Sequence, residues 1–372
     1  MVRRTWTSIW AKGMARNLAA FRKATKPSKK RKQARKTAPA AGRSAARAPA
    51  LRALARRALA RRAALTSRPA ALGRFSAANK KQHGERWLAG VAVESAGTRR
   101  YMLYHPPQLQ PGERLPMIVM LHGCGQDAEG FAASTRMNQI ALRERAVVLY
   151  PEQDRLANPQ GCWNWFDTKS GRAYREAELV MAVVEEACSL FPVDRGRVAV
   201  AGLSAGGSMA ALLVTRYPQH FKAVVMHSGI PPGTADCVLT AMGAMQGRRA
   251  TSPLDSSVST TAAPLPPLLV IHGTDDAVVD VRNGRAAAQI WADAAGARAA
   301  SGRGVQRGAR YPMKLTDFKH NGTTAATLAE VQRLGHAWSG GAAKQPFGDA
   351  QGPDASRMVW AFAAKHFTEA AG

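Results

Sequence analysis

The sequence predicts an α/β protein: a mostly parallel central sheet with helices on both faces, preceded by a basic N-terminal arm. Three observations point there. Short unbroken apolar runs recur along residues 85–372, as expected of strands buried on both faces. Helix-like segments separate several of them, which is the signature of strand–helix–strand crossovers. The run Val198-Ala199-Val200-Ala201 ends in Gly202-Leu203-Ser204-Ala205-Gly206-Gly207, with a helical pattern from Met209 to Tyr217 directly after it. A serine flanked at two residues on each side by glycine, between strand and helix, has the context of a nucleophile elbow.

In chain order, Leu88–Val93 and Arg99–Tyr104 read as an opening antiparallel pair. Pro116–Leu121 and Ala146–Tyr150 are buried strands, and Glu176–Leu190 is a helix that carries Cys188 as a small core residue. Arg197–Ala201 is the strand before the elbow, and Ala223–Met226 and Leu268–Ile271 are two further buried strands. Between Pro231 and Pro267 the pattern fails, and Gly, Ala, Ser, Thr and Pro imply a long loop or flap. Tyr311–Thr316 and Ala326–Val331 flank an Asn321-Gly322 turn, and Met358–Phe367 closes the chain as a helix.

The formal charge of +28 belongs mainly to one end. Of 53 Lys and Arg, 24 fall in residues 1–84, where there is no acid; the rest of the chain sets 29 bases against 25 acids. The expected division is therefore a basic low-complexity arm at 1–84 and a nearly neutral catalytic body at 85–372. Within the arm, Trp6, Ile9, Trp10, Met14, Leu18 and Phe21 share one helical face opposite Lys12, Arg16, Arg22 and Lys23. That is the pattern of an amphipathic helix at 6–21 lying on an anionic membrane or granule surface. The Ala/Arg/Pro-rich remainder cannot bury enough apolar surface to fold alone. A solvated tail and a nonspecific polyanion binder are the other readings. No nucleic-acid module accompanies it, so no specific nucleic-acid partner is expected. No apolar stretch suits a membrane span or a cleavable secretory signal. The four cysteines form no Cys-x-x-Cys pair, so no zinc or thioredoxin-type site is expected, and serine chemistry at the elbow calls for no metal or organic cofactor.

A serine hydroxyl needs a base, and the base an orienting acid. With a nucleophile elbow the chain order is serine, acid, histidine. The run Leu268–Ile271 leads into His272-Gly273-Thr274-Asp275-Asp276, so Asp276 is the candidate acid and Asp275 the alternative. Three histidines follow. His366 falls in the closing helix, and His320 precedes the turn at 321–322. His336 stands in Gly335-His336-Ala337-Trp338 after a strand-like run and is the candidate base. Ala205, next after the serine, supplies one oxyanion N–H. Leu121-His122-Gly123-Cys124 follows an earlier strand and offers Cys124 N–H as the second, with His122 structural beside it. Trp163 and Trp165, in Gly161-Cys162-Trp163-Asn164-Trp165-Phe166, and Trp338 are candidates to wall a substrate groove; local packing is the alternative for the first two. A Cys124–Cys162 disulfide is conceivable, though sequence alone does not fix connectivity.

At these residues the chain resembles the poly(3-hydroxybutyrate) depolymerase family of esterases. The likeness rests on Leu121-His122-Gly123-Cys124, Cys162-Trp163-Asn164-Trp165, Gly202–Gly207, His272–Asp276 and Gly335–Trp338, in the family's order. It implies an α/β-hydrolase fold and serine esterase chemistry on polyhydroxyalkanoate or related short-chain esters, with Ser204, Asp276 and His336 as triad and Cys124 at the oxyanion loop. Feruloyl and acetylxylan esterases share overlapping motifs, so a carbohydrate esterase is the second expectation. A surface- or granule-binding protein with a vestigial hydrolase body is the third. The family implies an extracellular setting, whereas the lack of a visible signal peptide points to the cytoplasm or a granule. The chain shows none of the C-terminal polymer-binding domain usual in polymer-degrading members.

Overall fold

The computed structural model describes residues 86–254 and 263–368. The arm, with the amphipathic helix expected at 6–21, lies outside the described residues. The body opens with the expected antiparallel pair, β1 (Trp87–Glu94) and β2 (Gly97–Tyr104), registered from Trp87 opposite Tyr104 to Glu94 opposite Gly97. There follow β3 (Leu115–Leu121), α1 (Ala128–Thr135), α2 (Met137–Glu144), β4 (Val147–Pro151), α3 (Arg172–Leu190) and β5 (Val193–Leu203). Next come α4 (Ala205–Arg216), β6 (Ala223–His227), α5 (Val238–Met245), β7 (Leu268–Gly273) and α6 (Arg282–Ala294). The chain ends with β8 (Arg298–Ala299), β9 (Arg303–Val305), β10 (Met313–His320), β11 (Thr323–Val331), β12 (Trp338–Ser339), β13 (Gly348–Asp349) and α7 (Ala355–Thr368).

The main sheet runs β1-β2-β4-β3-β5-β6-β7-β11-β10-β8, with β9 also on β10. The six strands from β4 to β11 are mutually parallel, and the antiparallel pairs sit toward the two edges. The apolar runs are unbroken because each face of the sheet is covered. In β5, Val198 and Val200 point into one core and Ala199 and Ala201 into the other. The first core takes Val180 of α3, Met209 and Leu213 of α4 and Trp291 of α6. The second takes Phe131 of α1, Ile140 of α2 and Val359 of α7.

The structure departs from the sequence reading in three places. The stretch between Pro231 and Pro267 is not all loop, because α5 lies within it. Thr240 Oγ1 accepts from Cys237 N–H at 3.0 Å to cap this helix, and only Ala241 and Ala244 face the core. Eight residues with two buried alanines carry almost no periodic contrast. Helices α1, α2 and α6 were not marked either. The buried stripe of α6 is Ala287, Ala288, Ile290, Trp291 and Ala292, whose alanines scarcely differ from their surroundings in hydrophobicity. His366, whose place in the closing helix suggests a surface or helix-end role, is instead buried against Phe362, with ring centroids 4.8 Å apart.

Candidate active site

Ser204 sits between β5 and α4 with φ 56° and ψ −122°. A non-glycine residue in that conformation is strained, and the fold must impose it. It does so by close approach. A Cβ on Gly202 would lie 2.3 Å from the Gly206 carbonyl, and one on Gly206 2.1 Å from Leu121 O. Only hydrogen fits at either position, so the two glycines of the motif let the helix start against the strand ends. Ser204 N–H is held by His227 O at 2.8 Å, which fixes the elbow to the end of β6.

Three sequence-distant side chains meet here. His336 Nε2 lies 2.9 Å from Ser204 Oγ, and His336 Nδ1 lies 2.8 Å from Asp276 Oδ2. A carboxylate only accepts, so Nδ1 carries the proton and Nε2 is left to accept from the serine hydroxyl. Asp276 is buried, and its other oxygen accepts from Val278 and Val279 N–H, both at 2.9 Å. Burial pushes this carboxyl up, but the charge and hydrogen bond of His336 outweigh it and bring it down to about 2. The alternative acid, Asp275, is exposed and accepts from Thr274 Oγ1. His320 is likewise exposed, with Nδ1 2.9 Å from Gly296 O.

Cys124 N–H and Ala205 N–H have no hydrogen-bond acceptor among the described residues. Ala205 is the first residue of α4, where the helix dipole favours negative charge. Cys124 is linked to Cys162 by a disulfide spanning 38 residues. His122 Nδ1 lies 2.8 Å from Gly123 O, and its Nε2 accepts from Gln153 N–H at 3.1 Å. Burial lowers His122 to about 4, so the ring is a neutral brace of this loop.

Two of the tryptophan expectations are corrected. Trp163 is fully buried against the 122–126 loop, donating Nε1–H to His122 O at 3.0 Å with the Arg99 guanidinium 5.4 Å from its ring. Trp338 is fully buried too. It donates to Ser356 Oγ at 3.1 Å and stacks on His227 at 5.1 Å. Large apolar rings beside strand ends are drawn into the core by their area, and both are fully buried here. Trp165 borders a cavity of about 310 Å³ with Tyr174, Leu212 and Pro231, which no triad candidate lines.

Several supporting residues escaped the sequence reading. Glu176 is buried and accepts from Asn164 N–H and Gln153 Nε2, each at 2.8 Å, and from Asn164 Nδ2 at 2.5 Å. Gln153 Nε2 also donates to Cys162 O at 2.9 Å, and its Oε1 accepts from the buried Arg99. On the opposite side, His227 Nε2 accepts from Ser339 N–H at 3.1 Å, three residues after His336. Burial first, then the neighbouring His272 and His336, bring His227 down to about 3. His272 Nε2 donates to Val279 O at 2.9 Å and lies 3.6 Å from Asp276 Oδ2. Nothing local in sequence marks these contacts, because each partner comes from a different element. Among the described residues no group of three His, Cys, Asp or Glu is arranged to hold a metal ion, and no helix is long and apolar enough to cross a membrane.

A strained serine at a strand–helix turn, reached by a histidine and an aspartate from later loops of a parallel sheet, defines the class as an α/β-hydrolase. The sequence model of the esterase PHB depolymerase family matches residues 99–307, and the chain belongs to that family. The match ends before His336, so the placement of that ring rests on the geometry above. Poly(3-hydroxyalkanoate) depolymerase C of Paucimonas lemoignei is 29% identical over 189 residues, 49% of this chain and 45% of that protein. Feruloyl esterase B of Neurospora crassa is 30% identical over 133 residues, 35% of this chain and 44% of that protein. The chain thus spans under half the length of each of these curated relatives. Among solved structures, an acetyl xylan esterase from Aspergillus awamori covers 64% of this chain and 89% of its own, with a TM-score of 0.54 and 17% identity, a likeness of fold.

Proposed function

We propose that this protein is a serine esterase that cleaves polyhydroxyalkanoate-type or related short-chain esters through an acyl-enzyme. The observation that carries the reading is the continuous chain from Ser204 Oγ through His336 to the buried Asp276, beside two N–H groups with no acceptor among the described residues. In the first step Ser204 Oγ bonds to the ester carbonyl carbon, and its proton passes to His336 Nε2. Asp276 holds the resulting imidazolium by charge and hydrogen bond. Cys124 and Ala205 N–H groups stabilise the oxyanion. The carbon–alkoxy bond then breaks, and His336 returns its proton to the departing alcohol. Water, deprotonated by the same ring, adds to the acyl carbon and releases the acid, restoring Ser204.

The likeness to a hydroxyalkanoate depolymerase favours hydroxybutyrate oligomers as substrate, and the likeness to a feruloyl esterase favours the second reading, an esterase of plant-wall carbohydrates. A fluorophosphonate should label the protein and fail to label Ser204→Ala. Equal labelling of both would exclude this mechanism, and no labelling of either would favour a vestigial hydrolase body. Turnover of hydroxybutyrate trimers against methyl ferulate and acetylated xylan then separates the two esterase readings.

For residues 1–84 we propose a surface-attaching arm, on the strength of their charge and the apolar face at 6–21. Deleting them should abolish co-sedimentation with anionic vesicles or polymer granules and leave turnover of soluble esters intact. Unchanged sedimentation would refute it.

A further inference from the structure

A second concave site lies where the α1–α2 junction, the β9–β10 segment and the start of α7 meet. Its volume is about 580 Å³, and none of Ser204, Asp276, His336, Cys124 or Ala205 lines it. Five arginines do: Arg136, Arg143, Arg307, Arg310 and Arg357, against one carboxylate, Asp354. The cleft therefore gathers four uncompensated positive charges, as many as the whole of residues 85–372 carries in excess.

Several arginines elsewhere in the body are neutralised by a carboxylate, as in Arg145–Glu113, Arg195–Glu185, Arg285–Glu330 and Arg303–Asp317. Of the five in the cleft only Arg357 has such a partner among the described residues, its Nε 3.6 Å from Asp354 Oδ2. Arg143 and Arg307 are exposed, and their side chains have no hydrogen-bond or ion-pair partner among the described residues. Arg136 and Arg310 are instead held by backbone carbonyls, Arg136 by Gly340 O, and Arg310 by Gly352 O at 2.6 Å and Ala350 O at 3.3 Å. A carbonyl fixes a guanidinium without cancelling its charge, so the remaining N–H groups stay oriented for an anion. Asp354 is occupied at the start of α7, accepting from Arg357 N–H at 3.1 Å. Crowding like charges in one concavity costs Coulomb energy that a multiply charged ligand would relieve. The same lining includes the apolar side chains of Ile140, Val305, Met313 and Met358.

We propose that this cleft binds a phosphate-bearing amphiphile, its phosphate among the arginines and its alkyl portion against these apolar side chains. Phosphate fits the array because its several oxygens accept from more than one guanidinium fork. The same chemistry is offered by a soluble alkyl phosphate and by the headgroup of an anionic phospholipid.

The test is calorimetric titration of the full chain with monobutyl phosphate and with inorganic phosphate. Saturable binding is expected, about tenfold tighter for the butyl ester because its alkyl group is buried. The double variant Arg143→Ala/Arg307→Ala should bind at least about tenfold more weakly, since two charge-assisted contacts are lost. The pair Arg248→Ala/Arg298→Ala removes the same charge from exposed positions outside the cleft and should change nothing. Absence of saturable binding, equal affinity for both phosphates, or equal loss in both double variants would overturn the proposal. Turnover of a soluble ester and the melting temperature should be the same in all three proteins, which separates this result from the fate of the esterase reading. Co-sedimentation with phosphatidylglycerol vesicles, the arm being constant, distinguishes the sources. Selective loss in the cleft variant marks the lipid headgroup, and loss of butyl phosphate binding alone marks a soluble ester.

Discussion

The two loops that converge on Ser204 are fastened by different means. The proposed oxyanion loop, 122–126, is tied by the Cys124–Cys162 bond and backed by a buried carboxylate, Glu176, that gathers Gln153 and Asn164. The loop carrying His336 has no covalent tie. It hangs on hydrogen bonds, from His336 to Asp276, from Ser339 N–H to His227, and from Asp275 N–H to Leu334 O. The difference suits the proposed chemistry. Donors facing a developing oxyanion gain by being immobile, because they then need no reorganisation as charge appears. A base that must serve first the serine and then the leaving alcohol needs its ring oriented, which the hydrogen bond to Asp276 supplies without a covalent tie.

Breaking the base side should have the largest effect. Asp276→Asn keeps the shape but no longer enforces the tautomer with Nδ1 protonated, and kcat should fall by on the order of 10⁴ with KM little altered. Steady-state kinetics on a soluble ester checks this; a loss under about tenfold would show that Asp276 does not orient the ring. The paired replacement Cys124→Ser/Cys162→Ser comes next. Releasing a loop closed over 38 residues should cost about 3–4 kcal/mol of stability in the chain-entropy model, read as a lowered denaturant midpoint. Glu176→Gln is smaller. It turns an acceptor into an NH₂ facing the Asn164 and Gln153 donors and should cost about 1.5–3 kcal/mol. If Glu176 positions the oxyanion loop, kcat should drop while KM holds, and Glu176→Asp should recover part of the rate. An unchanged kcat in the folded variant would make the carboxylate merely structural.

The remaining effect is graded with pH. His122 titrates near 4 and His227 near 3 in the folded protein, both below the usual value of 6.5 because burial disfavours the charged ring. Between pH 6.5 and those values the unfolded chain takes up protons that the folded chain refuses. Their contribution to stability is therefore complete above 6.5 and is lost as pH falls through 4 and then 3, at up to about 1.4 kcal/mol per pH unit for each ring. Asp276, held near 2, adds to the loss only below its ordinary value of 3.8. Urea midpoints at pH 7 and 4.5 should differ accordingly, and His122→Asn should reduce the difference.

Much of this was legible in one dimension. The strands were readable because a sheet covered on both faces demands unbroken apolar runs, and the elbow because only glycine permits the approach of β5, α4 and the end of β3. Candidates for acid and base followed from chain order and strand ends. The helices α1, α2, α5 and α6 were less legible, since their buried faces lean on alanine. The tryptophans misled, because a ring's identity does not say whether it faces the site or the core. Composition gave the charge excess of the arm but hid that of the cleft, whose arginines come from α1–α2, the β9–β10 segment and α7.

The sequence by itself determined the alternation of strand and helix, the strained turn at Ser204 and the residue types for one catalytic chain, since these follow from periodicity, sterics and the order of short motifs. Tertiary structure alone decided that Asp276 rather than Asp275 meets His336, that Cys124 pairs with Cys162, and that Glu176 and His227 brace opposite sides of the serine. Those outcomes depend on distances between segments far apart in the chain, and only the packing of both sheet faces sets such distances.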